Sequence, residues 1–196
     1  MNNEVDLPHL KIVLLGNSGV GKTSLMNRWT AGKFSTSAKS TVGANHQRKK
    51  VFVGRDEVEI FLWDTAGQEQ FQALTPLYVR NAATALILAA VDDANSFDTL
   101  QTWVDLINSA CEHVPPMILV VNKIDIVDHT SYSNEEIESR FGPMFSSIFF
   151  ASAATGEGVD TCFMQAAHSA FNFSKSFTVS NSPSNPKENN EKNSCC

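Results

Sequence analysis

Six short apolar runs punctuate the chain, at residues 10–15, 51–53, 58–63, 84–91, 117–121 and 148–151. Each is rich in β-branched residues and bounded by turn-forming ones, the pattern of a strand. The runs at 10–15, 85–91 and 117–121 are almost continuously hydrophobic, as parallel strands covered on both faces must be. Gly54-Arg55-Asp56 separates two runs closely enough for a hairpin, which predicts one antiparallel edge strand. Helical spacing fills the gaps. Ser96 is placed to cap a helix carrying Phe97, Leu100, Val104 and Ile107. Ser133-Asn134-Glu135-Glu136 has the form of a capping box ahead of Ile137 and Phe141. Phe163, Ala166, Ala167, Ala170 and Phe171 share one face of a last helix. The alternation predicts an α/β fold: a doubly wound, mostly parallel six-stranded sheet with helices on both faces and ligands beyond the strands' carboxyl ends.

Composition narrows the function classes. The chain has 196 residues, 42% of them hydrophobic, enough for one sizeable core. Its formal charge of −6 and the lack of a basic stripe argue against a nucleic-acid partner. Lys33, Lys39, Arg48, Lys49 and Lys50 form the one basic neighbourhood and read as a solvated face. No apolar stretch has the length of a membrane span, and the first residues show no signal-peptide pattern. Cys111 and Cys162 fall in apolar-periodic segments as reduced core residues, and no cysteines or histidines have zinc spacing. Residues 174–196 are polar, poor in apolar side chains, and read as a flexible tail ending in Cys195 and Cys196.

Three motifs carry chemistry, each at a strand's carboxyl end. Gly16-Asn17-Ser18-Gly19-Val20-Gly21-Lys22-Thr23 follows the first run and fits the phosphate-loop pattern. Its glycines let successive N–H groups point inward, Lys22 reaches the outer phosphates, and the Thr23 hydroxyl is a Mg²⁺ ligand. Trp63-Asp64-Thr65-Ala66-Gly67-Gln68-Glu69 follows the third run, with Asp64 placed to hold Mg²⁺ through water and Gly67 free to approach a terminal phosphate. Asn122-Lys123-Ile124-Asp125 follows the fifth. A carboxylate at Asp125 accepts two N–H bonds from guanine, and adenine offers no such donor pair.

With these motifs in view, the chain resembles the Ras-like small GTPases over residues 9–173, and within them most resembles the Rab branch. Trp63 to Phe71, with Gln70 where arginine is usual, and Tyr78-Val79-Arg80-Asn81-Ala82 are similar to Rab stretches, and Cys195-Cys196 is a Rab-type ending. The resemblance implies a small G-protein fold of the P-loop NTPase class, with residues 9–173 as a GTP-binding domain. Residues 16–23, extended by Ser24, would wrap the phosphates, with Mg²⁺ accompanying GTP or GDP and held by Thr23, Thr41 and Asp64. Thr41 and Gly67 would sense the γ-phosphate, and Gln68 would orient the attacking water. Phe34 would pack edge-on against the base, Asn122 and Asp125 would read it beside Lys123, and Ser152, Ala153 and Ala154 would form the last base-contacting turn. The Ala153 N–H would point at the guanine oxygen.

Two departures stand out. Ala154 replaces the family's usual lysine, whose stem covers the base, and implies weaker or faster-exchanging nucleotide. His46 replaces an aromatic of the effector surface that packs with Trp63 and Tyr78; it reads as an exposed or stacked neutral ring ahead of a pH sensor, and implies altered effector choice, not lost catalysis. The implied function is a monomeric GTP/GDP switch in vesicle trafficking, slow to hydrolyse GTP alone, with a guanine-nucleotide-binding scaffold of little turnover as the alternative. Implied partners are an exchange factor, a GTPase-activating protein, effectors and a prenyl-binding escort protein. Two prenyl groups on Cys195 and Cys196 would hold it at the cytoplasmic face of an intracellular membrane, cycling with cytosol.

Overall fold

The computed structural model describes residues 7–36, 41, 43–67, 74–126 and 132–180, with side chains to residue 177. Its strands are β1 (His9–Leu15), β2 (Ala44–Val53), β3 (Asp56–Thr65), β4 (Thr84–Ala90), β5 (Met117–Asn122) and β6 (Ser147–Phe150). The helices are α1 (Lys22–Ala31), α2 (Thr75–Val79), α3 (Ala94–Asp98), α4 (Leu100–Ala110), α5 (Asn134–Phe141) and α6 (Val159–Ser180). One six-stranded sheet has the order β2-β3-β1-β4-β5-β6. All neighbours are parallel except β2 and β3, whose antiparallel pairing turns at Gly54-Arg55, with Gly54 at φ 66.

Strand alternation sorts the core into two layers. Leu10, Ile12 and Leu14 of β1, with Leu86 and Leu88 of β4, face α1 and α6. Val13 and Leu15, with Ala85 and Ile87, face α4 and α5. Both faces of the central strands are therefore dry, which explains why their sequences are unbroken apolar runs. On the α1–α6 side, Trp29 stacks on Phe163 with ring centroids 4.6 Å apart at 9°. The Trp29 indole donates to Asp160 Oδ1 at 3.1 Å.

Three expectations need correction. The helix assigned to Ser96 begins earlier, with Asp93 as its N-cap, and breaks at Thr99 into α3 and α4. Ser96 sits inside α3, fully buried, accepting from the Ala90 N–H at 3.0 Å and donating to the Asp93 carbonyl at 2.5 Å. Its hydroxyl ties the helix to the end of β4 and is not free to cap. Second, β2 starts at Ala44, seven residues before its apolar run, because the exposed His46, Arg48 and Lys50 of an edge strand carry no hydrophobic signal. Third, helical order does not end at Ser174. α6 continues to Ser180, with Phe177 4.9 Å from Phe173 and 4.6 Å from His113, centroid to centroid. A single ring per turn sustains a helix that bulk composition hides. The α5 capping box is as expected, Ser133 Oγ accepting from the Glu136 N–H at 3.2 Å and Glu136 Oε2 from the Ser133 N–H at 2.8 Å. Cys195 and Cys196 lie outside the described residues.

Phe163 is 1% exposed and supports the Trp29 stack. Its replacement by Ala is expected to lower stability by about 3–5 kcal/mol in equilibrium urea unfolding. Phe52→Ala, at 64% exposure on the edge strand, is expected to stay within about 0.5 kcal/mol in the same assay.

Candidate functional site

The phosphate-loop segment joins β1 to α1 at the centre of the sheet, where β1 has β3 on one side and β4 on the other. Gly16, at φ 132, lies so close to β4 that a Cβ would sit 2.5 Å from the Leu88 carbonyl oxygen. Gly21 is the N-cap of α1 at φ 97 and has no side chain to cap the first-turn N–H groups. That turn also has no acidic residue, so its partial positive charge remains available to an anion. Lys22 folds back under the loop, its Nζ donating to the carbonyls of Gly16 at 2.7 Å and Asn17 at 2.8 Å. Burial pushes the Lys22 ammonium down to about 8, against the opposing pull of Asp64. Asn17 turns its side chain away, accepting from Thr99 Oγ1 at 3.0 Å and the Trp103 indole at 3.3 Å.

Asp64, next to last in β3, lies opposite Leu14 of β1, a register that delivers its carboxylate to the loop. It is fully buried. Its Oδ2 accepts from Thr23 Oγ1 at 2.6 Å and Thr41 Oγ1 at 3.2 Å, and the two hydroxyls are 2.9 Å apart. Its Oδ1 is buried without a hydrogen-bond partner. Burial raises the carboxyl above its ordinary range, and Thr23, Lys22 and Thr41 pull the other way. Two hydroxyls beside an orphaned carboxylate oxygen form a hard-oxygen donor set that fits Mg²⁺. Among the described residues no three His, Cys, Asp or Glu side chains form a metal cluster, so phosphates and water would complete the ligand shell. Gly67 presses on the same loop: a Cβ there would meet Lys22 Nζ at 2.4 Å and the Ser18 nitrogen at 2.5 Å. Gln68 lies outside the described residues.

The other end of the site is built on Asn122, the last residue of β5. Its Nδ2 donates to the Val20 carbonyl at 2.8 Å, and its Oδ1 accepts from the Ala153 N–H at 3.2 Å. The donor that the resemblance aims at guanine is thus engaged by Asn122. Asp125 stands in the cleft with Oδ1 accepting from Ser152 Oγ at 2.5 Å, and the Thr155 N–H donates back to that hydroxyl at 3.1 Å. Lys123 has φ 66 and pairs with Asp92 at 3.0 Å.

These groups surround a cleft of about 330 Å³. Ser18, Gly19, Gly21, Lys22, Thr23 and Ser24 form one wall, with Thr41 and Gly67 beside them. Phe34, Asn122, Lys123, Asp125, Ala153 and Ala154 form the other. Gly16, Asn17, Val20 and Ser152 stand behind this lining as supports. Ser35, Thr36, Thr65 and Ile126 also line it and were not singled out from sequence, where nothing but adjacency to the motifs marks them. Arg28 went unnoticed as well. It donates to the carbonyls of Ala153 at 2.7 Å and Ala154 at 2.5 Å.

The Ras family model matches residues 11–172. The chain is 34% identical over 198 residues to the Ypt/Rab-type GTPase YPT7 of Saccharomyces cerevisiae, covering 95% of each chain. It is 34% identical to the Ras-related protein Rab-18 of Lymnaea stagnalis, over 83% of this chain and 81% of that one. A shorter match, 43% identical to the Ypt/Rab-type GTPase Rab7 of Neurospora crassa, spans 60% of this chain and 59% of the relative.

Gly21 offers a direct test of the cleft. A Cβ there would lie 2.2 Å from Asn122 Nδ2 at a φ that favours glycine, so Gly21→Ala displaces the amide that joins loop and base turn. The expected result is loss of GDP affinity by about a hundredfold or more, roughly 3 kcal/mol, in a fluorescent-nucleotide titration, with the far-ultraviolet circular dichroism retained.

Proposed function

The chain belongs to the Ras family, as a Rab-like small GTPase, and on that premise we propose that it is a Mg·GTP/GDP switch controlling vesicle traffic from the cytoplasmic face of an intracellular membrane. One observation carries most of the support: Lys22, the Thr23–Asp64–Thr41 group and Asp125 converge on a single cleft from separate segments. The loop amides and Lys22 bind the phosphates, and Asp125 selects guanine through the carboxylate oxygen not engaged by Ser152. Thr23 and Thr41 would ligate Mg²⁺, with Asp64 acting through water, and the ion supplies charge neutralisation on the β- and γ-phosphate oxygens.

Hydrolysis of GTP by water needs positioning and stabilisation of spread negative charge more than covalent chemistry. Gln68 orients the water, the Gly67 N–H meets the γ-phosphate, and Lys22 holds charge against the transferred group. Among the described residues the cleft is lined by no arginine. Turnover is accordingly slow unless an activating protein inserts one, a contribution of about 10⁵-fold in the related Ras. Ser18, small and at the rim, leaves room for it. Loss of the γ-phosphate frees Thr41 and Gly67 together, and their segments carry the change to partners.

The partner surface begins at an aromatic stack. His46 lies over Trp63 at 5.6 Å and Trp63 over Tyr78 at 6.1 Å, with His46 exposed. A histidine at the end of this stack selects effectors different from those that read a phenyl ring. Membrane attachment rests on Cys195 and Cys196 taking two prenyl groups, since one lipid chain binds only marginally, and an escort protein would carry the lipids through cytosol.

Single-turnover hydrolysis tests the switch reading. Gln68→Leu is expected to lower the rate by about tenfold or more while GTP affinity stays within about twofold, and ATP in large excess is expected not to displace labelled GDP. A native protein as slow as the Gln68 variant, with and without a cell extract as a source of activating protein, would instead mark a binding scaffold.

A further inference from the structure

We infer that Arg28 is a positioning residue for guanine readout, holding the last base-contacting turn in place where Ala154 leaves the family's lysine missing. The inference rests on the base-site reading above. Arg28 lies on α1 and reaches a turn more than a hundred positions away in the chain. Its Nε donates to the Ala153 carbonyl at 2.7 Å and its Nη2 to the Ala154 carbonyl at 2.5 Å. Its Nη1 donates to the Gly32 carbonyl at 3.2 Å, at the C-cap of α1. Its guanidinium carbon lies 5.8 Å from the centroid of Phe34, the ring assigned to the edge of the base.

The pattern is more specific than a helix brace. Among the described residues no carboxylate pairs with Arg28, so the fork is directed wholly at main-chain oxygens. Two of them belong to consecutive peptide units that follow the Ala153 N–H, and a planar guanidinium gripping both fixes the tilt of that segment. The turn is also closed by Gly156 N–H to Ser152 oxygen at 2.8 Å and by Thr155 N–H to Ser152 Oγ at 3.1 Å. Asn122 Oδ1 ties the Ala153 N–H to β5, and among the described residues Arg28 adds hydrogen bonds from this turn to α1, beside Phe34. With alanine at 154, the placement of the Ala153 N–H, which donates to Asn122 Oδ1 at 3.2 Å and would be shared with the guanine 6-oxygen, depends on Arg28 gripping the two carbonyls that follow it.

Three diphosphates separate this role from a structural one. GDP offers both the 6-oxygen and the 2-amino group; 6-thio-GDP replaces the oxygen by a poor acceptor; inosine diphosphate lacks the amino group that Asp125 reads. Arg28→Ala is expected to weaken GDP by about tenfold, to shrink the preference for GDP over 6-thio-GDP by about the same factor, and to leave the preference for GDP over inosine diphosphate within about twofold. Arg28→Lys, which keeps the charge but lacks the fork, is expected to behave alike and serves if the alanine variant does not fold. Equal weakening of all three nucleotides, no change, absence of a native preference over 6-thio-GDP, or failure of both variants to fold overturns the inference. Asp125→Ala runs in parallel: it is expected to abolish the preference over inosine diphosphate, and if it does not, the base-site reading itself fails whatever Arg28 does.

Discussion

An ammonium sealed beneath its own loop is the constraint from which the rest of the site follows. Lys22 is 6% exposed, and its Nζ is held at 2.7 and 2.8 Å by two carbonyls of the loop it closes. Carbonyls offset only part of the cost of taking a charge out of water, which is why burial drives the group down to about 8. A polyphosphate would supply the missing counter-charge in a low-dielectric setting, where it counts most. For Lys22 to fold under the loop, the backbone must pass within side-chain range of β4 at Gly16 and of the β3 extension at Gly67, and glycine is what fits. The glycines at these two contacts and the placement of Asp64 belong to one packing problem.

That problem sits at the centre of the sheet for a topological reason. β1 lies between β3 and β4, so the chain leaves its carboxyl end where the strand order reverses, and a crevice opens there. The same register that pairs Leu14 with Asp64 sets the carboxylate beside Thr23 of the following helix. Two dry core layers on either side hold these strands in register, because a slip by one residue would exchange the Leu10–Ile12–Leu14 set for the Val13–Leu15 set.

What could be read from the chain alone follows from burial. Central strands announce themselves because both faces are apolar, and the phosphate loop does so because its glycines and lysine occur at fixed spacing. The first half of β2 was hidden, since an edge strand presenting His46, Arg48 and Lys50 to solvent looks like a loop. The break at Thr99 was hidden too. Its hydroxyl bonds Asn17 in the phosphate loop, a tertiary tie that helical periodicity does not register. The extension of α6 depended on single rings, Phe173 and Phe177, in a polar context. Arg28 gave no signal at all, because a lone helical arginine shows no pattern and its partners are carbonyls, which no residue type encodes.

The two ends of the cleft are not independent binding sites. Asn122 spans them, its Nδ2 on the Val20 carbonyl of the phosphate loop and its Oδ1 on the Ala153 N–H of the base turn. Arg28 spans them again by another route, from the helix that begins at Lys22 to the carbonyls of Ala153 and Ala154. Energies of groups joined by such struts do not add, because displacing one end reorients the other. On the proposed placement of the nucleotide, tight retention would therefore require base and phosphates to be seated together. A partner that disturbs the Asn122 strut would loosen both ends at once, without touching the ligand. A switch that must hold its ligand for long periods and surrender it on demand is well served by that coupling, since the trigger need act only on the scaffold between the two ends.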